Sequence, residues 1–145
     1  GMQAICLEPN ADAGGLAIRE TLDRFRSHRD IRVRVHLPRA DYVSWMAGVD
    51  VMIGNSSSGI IEAATFGLPV VNVGSRQRLR ERAEGVLDVP AECNAIAAAI
   101  RQALSPDFVR AKRNIYGDGS AGKRIVALLH SLPLDAEILQ KVNEY

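Results

Sequence analysis

The segment VDVMIGNSSSGIIE, residues 49–62, runs from a strand through a tight loop into the start of a helix. Its first part, Val49–Ile53, is β-branched and almost continuously apolar, which predicts a buried strand. A loop of three serines between two glycines follows the strand. Ile60–Phe66 then predicts a short helix, and Gly67 is the residue expected to end it.

Strands and helices alternate on both sides of this segment. The expected strands are Ala4–Leu7, Ile31–Val35, Pro69–Val73 and Val86–Val89. The expected helices are Gly14–His28, a short one at Tyr42–Met46, one containing Ile96–Leu104, one that begins near Pro106, one containing Ile125–Leu129, and Asp135–Tyr145. This alternation predicts an α/β fold with a doubly wound, mostly parallel sheet, and residues 1–145 are predicted to form a single domain.

Composition excludes several classes of function. The chain has 145 residues and a formal net charge of +1, from 18 basic and 17 acidic side chains, so neither nucleic acid nor a membrane surface is an expected partner. No apolar run approaches the ~18–20 residues of a membrane helix, and the first residues lack a basic signal-peptide region, so we expect a cytoplasmic protein. Cys6 and Cys93 are expected to be buried thiols and not a disulfide. The scattered histidines show no metal-ligand spacing, so no metal or cofactor is expected.

The serine loop is the strongest candidate for a binding site. Ligands of open α/β sheets lie at the carboxyl ends of the strands, where a following helix offers unpaired N–H groups to an anion. Ser56, Ser57 and Ser58 add hydroxyl donors, and Gly59 allows close approach, so the loop is predicted to bind a phosphate or pyrophosphate. The alternative is that Ser58 only caps the helix. No lysine follows the loop, which excludes a Walker-type phosphate site.

Two more side chains are predicted to face the same ligand. Glu62 lies about one turn into the helix, where it can accept hydrogen bonds from a ribose diol or simply be a favourable charge near the helix start. Arg76 follows the strand Pro69–Val73 and can form bidentate bonds to a phosphate. The other arginines of the polar segment 76–82 are more typical of solvated loop charges.

Asn10 and Asp12 follow the first strand and precede a helix. Asp12 is expected either to cap that helix or to point at a sugar. The glycine-rich turn 114–119 contains Asp118, which we expect to be structural. The sequence pairs no two carboxylates as an acid and a base, so it nominates no catalytic residue.

Four motifs in this order resemble the C-terminal domain of the UDP-N-acetylglucosamine 2-epimerase family. They are Pro9-Asn10-x-Asp12-x-Gly14, the segment 53–62, Phe66-Gly67-x-Pro69-Val70-Val71-Asn72-x-Gly74-x-Arg76-Gln77, and Tyr116-Gly117-Asp118-Gly119. The Gly-Asn-Ser-Ser-Ser-Gly and Arg-Gln versions are similar to the hydrolysing branch, which makes N-acetylmannosamine and UDP. The resemblance covers nearly the whole chain.

The resemblance implies the C-terminal half of a two-domain fold of the glycosyltransferase-B type, built from Rossmann-like domains. It implies that Ser56 and Ser57 contact the diphosphate of a UDP-sugar, that Glu62 binds the ribose and that Arg76 lies near the phosphates. It also implies that the catalytic acid–base groups lie mainly in an N-terminal domain, so this chain alone is expected to bind UDP or a UDP-N-acetylhexosamine without turnover. An N-terminal domain or a second copy of the chain are the possible protein partners.

Two other functions stay open at this point. The same fold would serve as the donor-nucleotide domain of a glycosyltransferase, or as an interaction module without activity. The identity of the 2-acetamido sugar is open as well, between N-acetylglucosamine and a 2,4-diacetamido sugar.

Overall fold

The computed structural model describes residues 1–10 and 14–133. The chain divides into two compact units, residues 1–48 and the part from Val49 onward. Each unit is an α/β structure in which the paired strands run parallel, as the sequence predicts. The strands pair in two groups, two in the first unit and three in the second.

In its described residues, the first unit contains two strands and two helices. They are β1 (Ala4–Leu7), α1 (Gly15–Asp23), β2 (Ile31–Arg34) and α2 (Arg39–Gly48). β1 pairs with β2 from Ala4 opposite Ile31 to Leu7 opposite Arg34. α1 is shorter than predicted, because its backbone bonds tighten to three-residue spacing at its end, where Phe25 N donates to Leu22 O at 2.9 Å.

As far as residue 133, the second unit contains three strands and the remaining described helices. They are β3 (Met52–Gly54), α3 (Ser57–Ile61), a 3-10 helix (Ala63–Phe66), β4 (Val70–Val73), β5 (Val86–Val89), α4 (Cys93–Ala103) and α5 (Ala121–Ser131). The strand order is β3-β4-β5, so β4 is central, and its Val70 and Val71 are buried. Gly67 ends the 3-10 helix with a φ of 59°, which confirms its predicted role.

The core of this unit lies between β4 and α4. Val71 and Ala103 are fully buried, and Ala99 is nearly so. Alanines on this face of α4 let the helix lie close to the sheet, since they add little bulk between the two backbones. Ile60, directly after the serine loop, is only 1% exposed, which anchors α3 in the interior.

Several expected boundaries were wrong. α3 begins at Ser57 and not at Ile60, so two serines belong to the helix itself. No helix begins at Pro106, because residues 106–120 form turns and irregular backbone in the described structure. The predicted helix Asp135–Tyr145 lies outside the described residues.

The cysteines are both free thiols, but only in part as predicted. Cys6 is half-buried, and this burial raises the pKa of its thiol. The expectation of burial was wrong for Cys93, which is exposed at the start of α4. In the described part of the chain, no helix is long and apolar enough to cross a membrane.

Candidate functional site

The serine loop lies between β3 and α3, at the carboxyl end of a parallel strand. β3 ends at Gly54 with a φ of +146°, a conformation that residues with a side chain rarely adopt. Ser56 is extended and caps α3, its Oγ accepting a hydrogen bond of 3.3 Å from the Ser58 N–H. The cap is therefore Ser56, and the capping alternative at Ser58 was wrong.

The loop presents hydrogen-bond donors that have no acceptor among the described residues. Neither the Ser56 nor the Ser57 N–H donates to an acceptor in residues 1–10 or 14–133, and no described partner bonds the Ser57 and Ser58 hydroxyls. Ser56 is exposed, and Ser57 and Ser58 are half-buried. The serines are thus open to a ligand and not turned into the core.

Gly59 fixes how closely the loop approaches the sheet. A Cβ at this position would lie 3.0 Å from Val70 Cγ1 and 3.7 Å from Met52 Sδ. The missing side chain is directed at the interior, so the structure explains this glycine by packing against β3 and β4.

Glu62 follows α3 directly and is half-buried. Its backbone N–H donates to Ser58 O at 2.9 Å, which continues the helical bonding past Ile61. Residues four apart share one side of a helix, so Glu62 lies one turn below Ser58 on the side of the loop. Glu62 therefore lies one turn from the serines as predicted, but at the C-terminal end of α3, so the alternative of a favourable charge near the start of this helix was wrong.

Arg76 and Gln77 connect the segment after β4 to the serine loop. Arg76 Nη1 donates to Asn55 O at 3.2 Å, and Gln77 Nε2 donates to the same oxygen at 2.8 Å. The structure therefore brings Arg76 beside the loop, as predicted from the sequence. Gln77 is only 3% exposed, and its Oε1 has no hydrogen-bond partner among the described residues.

Sequence reasoning missed Gln77 as a site residue. It stands between arginines in a polar stretch, and nothing local predicts its burial. Its position in the Arg-Gln motif was the only signal that could have found it.

One arginine of the segment 76–82 is paired with a carboxylate. Asp88 on β5 accepts bonds from Arg82 Nε at 3.0 Å and from Asn72 Nδ2 at 2.5 Å. Partial burial raises the pKa of Asp88, but the hydrogen bonds from Arg82 and Asn72 outweigh it and the net pKa is lowered. Arg82 is therefore paired within the protein, whereas Arg78 is exposed beside it.

An open groove of about 480 Å³ lies along this segment. It is lined by Gly74, Ser75, Arg78, Arg82, Asp88, Val89 and Pro90. The groove begins where β4 ends and is adjacent in sequence to Arg76. Its two guanidinium groups outnumber its one carboxylate, which gives it a positive charge.

The glycine-rich segment 114–119 binds the end of α3 through Asn114. Asn114 Nδ2 donates to Ile61 O at 2.7 Å and to Thr65 Oγ1 at 2.8 Å, and so holds the end of α3 that carries Glu62. Asp118 accepts bonds from Ser120 and Arg124 at the start of α5, a structural role as expected. Hydrogen bonds from Ser120, with those from Arg124, lower the pKa of Asp118.

Two residues, Asn10 and Asp12, were predicted to lie on the sugar side of the site. Asn10 is exposed, and Asp12 lies outside the described residues. Within the part that the structure describes, His, Cys, Asp and Glu side chains form no group of three that could hold a metal ion.

Comparisons with known proteins identify the family of this chain. A family model described as UDP-N-acetylglucosamine 2-epimerase matches residues 1–130. The UDP-N,N'-diacetylbacillosamine 2-epimerase (hydrolyzing) of Legionella pneumophila is 49% identical over 144 residues, which cover 99% of this chain and 38% of that protein. The GDP/UDP-N,N'-diacetylbacillosamine 2-epimerase (hydrolyzing) of Campylobacter jejuni is 35% identical over 106 residues, 72% of this chain and 27% of that protein.

Solved structures show the same fold. UDP-GlcNAc 2-epimerase from Methanocaldococcus jannaschii aligns over 88% of this chain and 36% of its own, with a TM-score of 0.66 and 17% identity. The same enzyme in complex with UDP-GlcNAc and UDP aligns over 80% of this chain and 32% of its own, with a TM-score of 0.63 and 18% identity. The chain thus spans under two fifths of each of these proteins.

Proposed function

Because the chain belongs to the UDP-N-acetylglucosamine 2-epimerase family, we propose that it is the UDP-sugar-binding domain of a hydrolysing 2-epimerase. In this proposal, residues 1–145 form one domain, the C-terminal half of a glycosyltransferase-B-type fold. A cytoplasmic location stays a prediction from the sequence.

One observation carries the proposal. The Ser56 and Ser57 N–H groups and the Ser57 and Ser58 hydroxyls have no partner among the described residues, at the carboxyl end of a parallel strand and beside Arg76. Anions are held in proteins by such converging N–H donors and guanidinium groups. A diphosphate is the group in a nucleotide sugar that fits this set.

The roles of the residues follow from their positions. Ser56, Ser57, Ser58 and Arg76 are proposed to hold the diphosphate, whereas Gly59, whose missing side chain would meet Val70 and Met52, is proposed to let the loop pack against the sheet. Glu62 is proposed to accept hydrogen bonds from the ribose, since it lies one turn from Ser58 on the same side of α3. Asn10 and Asp12 are proposed to face the sugar.

The reaction proposed for the whole protein removes the C2 proton of the sugar, expels UDP to give a glycal, and adds water on the other face. When the bond to UDP breaks, negative charge grows on the diphosphate oxygens. Fixed donors such as the Ser56 N–H and the Arg76 guanidinium stabilise that charge most when it is fully developed, which favours departure of UDP. The acid and base groups are proposed to lie outside this chain, so the chain alone binds the nucleotide without turning it over.

The sugar is proposed to be a 2,4-diacetamido sugar in preference to N-acetylglucosamine. The relative that is 49% identical is named for UDP-N,N'-diacetylbacillosamine. An enzyme that contains this chain together with the proposed N-terminal domain should release UDP faster from the UDP-2,4-diacetamido sugar than from UDP-N-acetylglucosamine. Faster release from UDP-N-acetylglucosamine would reverse this choice, and transfer of the sugar to an acceptor would identify a glycosyltransferase.

Thermal unfolding with UDP tests the binding site. A ligand at 100 times its dissociation constant stabilises the folded state by about 2.7 kcal/mol, and this should raise the melting temperature of the chain. Ser57→Ala should remove most of that rise, whereas Ser44→Ala, the same change on the exposed face of α2, should leave it intact. An unchanged melting temperature of the wild-type chain in millimolar UDP would contradict the proposed function.

A further inference from the structure

We propose that Gln77 is a positioning residue of this site: it fixes the Asn55 carbonyl and thereby aims the Ser56 N–H at the ligand. The inference rests on the proposed function for the identity of the ligand. It adds a residue that acts on the loop through the backbone and does not itself hold the phosphates.

The contact is long-range and well buried. Gln77 Nε2 donates to Asn55 O at 2.8 Å across 22 residues of sequence, from a side chain that is 3% exposed. Arg76 Nη1 donates to the same oxygen at 3.2 Å. A carbonyl oxygen has two lone pairs, and these two donors can occupy both, so the Asn55 carbonyl is fixed in direction.

The direction of the carbonyl determines that of the next amide. The described structure contains no cis peptide bond, and in a planar trans peptide the N–H points opposite to the C=O. Holding the Asn55 carbonyl on the side of Gln77 therefore turns the Ser56 N–H to the opposite side. Ser56 is exposed, and its N–H donates to no acceptor within the described residues.

Gln77 is held firmly enough to perform this role. Arg78 N donates to Ser75 O at 3.0 Å and Arg80 N donates to Gln77 O at 3.1 Å, so two successive turns fix its backbone. Ala83, a few residues further along the same segment, is buried as well.

The unpaired oxygen of the Gln77 amide indicates that the hydrogen bond from Nε2 to Asn55 O is the reason for a glutamine here. Gln77 Oε1 is buried without a partner among the described residues, and such an acceptor destabilises a fold. An apolar side chain of similar length would fill the same space without that cost. The glutamine is therefore explained by what its Nε2 donates to, the Asn55 carbonyl.

The test uses Gln77→Met, which keeps the bulk and removes both the donor and the unpaired acceptor. Gln77→Glu is the second variant, since it keeps the shape and replaces the donor with an oxygen. Gln102→Met, on an exposed position of α4, is the matched control. Each protein is examined without ligand by amide NMR, and then with UDP and with uridine by calorimetry.

We expect Gln77→Met to melt within about 2 °C of the wild type, because the lost hydrogen bond is offset by the lost unpaired acceptor. The ligand-free Ser56 amide resonance should move in both Gln77 variants and stay unchanged in the control. UDP affinity should fall about tenfold, the loss typical of one misdirected bond to a charged group, while uridine, which lacks phosphates, should bind as before.

The outcomes separate the two proposals. A wild-type chain that does not bind UDP refutes the proposed function, and the ligand-free Ser56 resonance still decides whether Gln77 positions the loop. An unmoved Ser56 resonance, or equal losses for UDP and uridine, overturns the positioning role. Unfolding of both Gln77 variants would overturn it too, since the residue would then serve the fold as a whole.

Discussion

Replacing Gly59 by alanine should destabilise the protein, although glycine in a helix is ordinarily the worse residue. The added Cβ would lie 3.0 Å from Val70 Cγ1, closer than real Cβ atoms ordinarily approach. Val70 is 3% exposed and paired with Met52 on one side and Val86 on the other. A β-branched side chain fixed in the middle of a sheet cannot move aside easily.

Two opposing terms set the magnitude. Glycine to alanine inside a helix gains up to about 1 kcal/mol of folding free energy. Forcing an extra methyl group into a packed interior costs about 1–3 kcal/mol. The net loss is therefore about 1 kcal/mol, and it should lower the melting temperature by roughly 3 °C in a chain of this length.

Denaturant unfolding of four variants checks this balance: Gly59→Ala, Gly122→Ala, Val70→Ala and the double variant Gly59→Ala/Val70→Ala. Gly122→Ala, in α5 where a Cβ meets nothing within 4 Å, should stabilise the chain by up to about 1 kcal/mol. In a Val70→Ala background, which removes the contacting Cγ1, Gly59→Ala should lose most of its cost. The contact with Val70 would not explain the effect if Gly59→Ala stabilised the chain as Gly122→Ala does. Nor would it explain the effect if Gly59→Ala lowered the free energy of unfolding equally with Val70 and with Ala at position 70.

The two remaining predictions concern Asp88, which is paired with Arg82, and Ile60, which anchors α3 in the interior. Asp88→Asn should cost about 0.5–1 kcal/mol at neutral pH, because its half-exposed carboxylate accepts bonds from Arg82 and Asn72. Because the pKa of Asp88 is lowered in the folded state, this contribution is present at neutral pH and is lost as the pH falls below about 4. The free energies of unfolding of variant and wild type, measured by chemical denaturation, should therefore converge in acid. A difference that stays constant with pH would contradict this prediction. Ile60→Ala should cost about 2–5 kcal/mol, against under about 0.5 kcal/mol for Ile125→Ala on exposed α5, and equal costs in urea unfolding would show that Ile60 does not anchor α3.

The fold was largely predictable because each strand carries its own signal. The apolar runs at Ala4–Leu7 and Val86–Val89 appear as strands with the predicted boundaries. Helix ends were less predictable, since they depend on contacts made elsewhere. α3 begins at Ser57 because Ser56 caps it, and a row of three serines offers three possible caps with similar chemistry.

The site was predictable where its chemistry is local. The serines and Glu62 lie in one continuous segment, so their relation follows from helical spacing alone. Gln77 and Asn114 were not predicted, because their burial and their partners depend on which segments fold against the loop. Arg76 was placed through the resemblance and through its position after a strand, and its bond to Asn55 confirms that it lies beside the loop.

The two unpredicted side chains share one mode of action. Gln77 binds the carbonyl of Asn55 before the serines, and Asn114 binds the carbonyl of Ile61 after them. Amides from distant segments thus hold the backbone at both ends of the loop, and the Ser57 and Ser58 hydroxyls keep no partner among the described residues. A loop fixed in this way loses little conformational entropy when an anion binds. Substitutions of the serines should therefore remove hydrogen-bond donors from the ligand, whereas substitutions of Gln77 should change the direction of the Ser56 N–H.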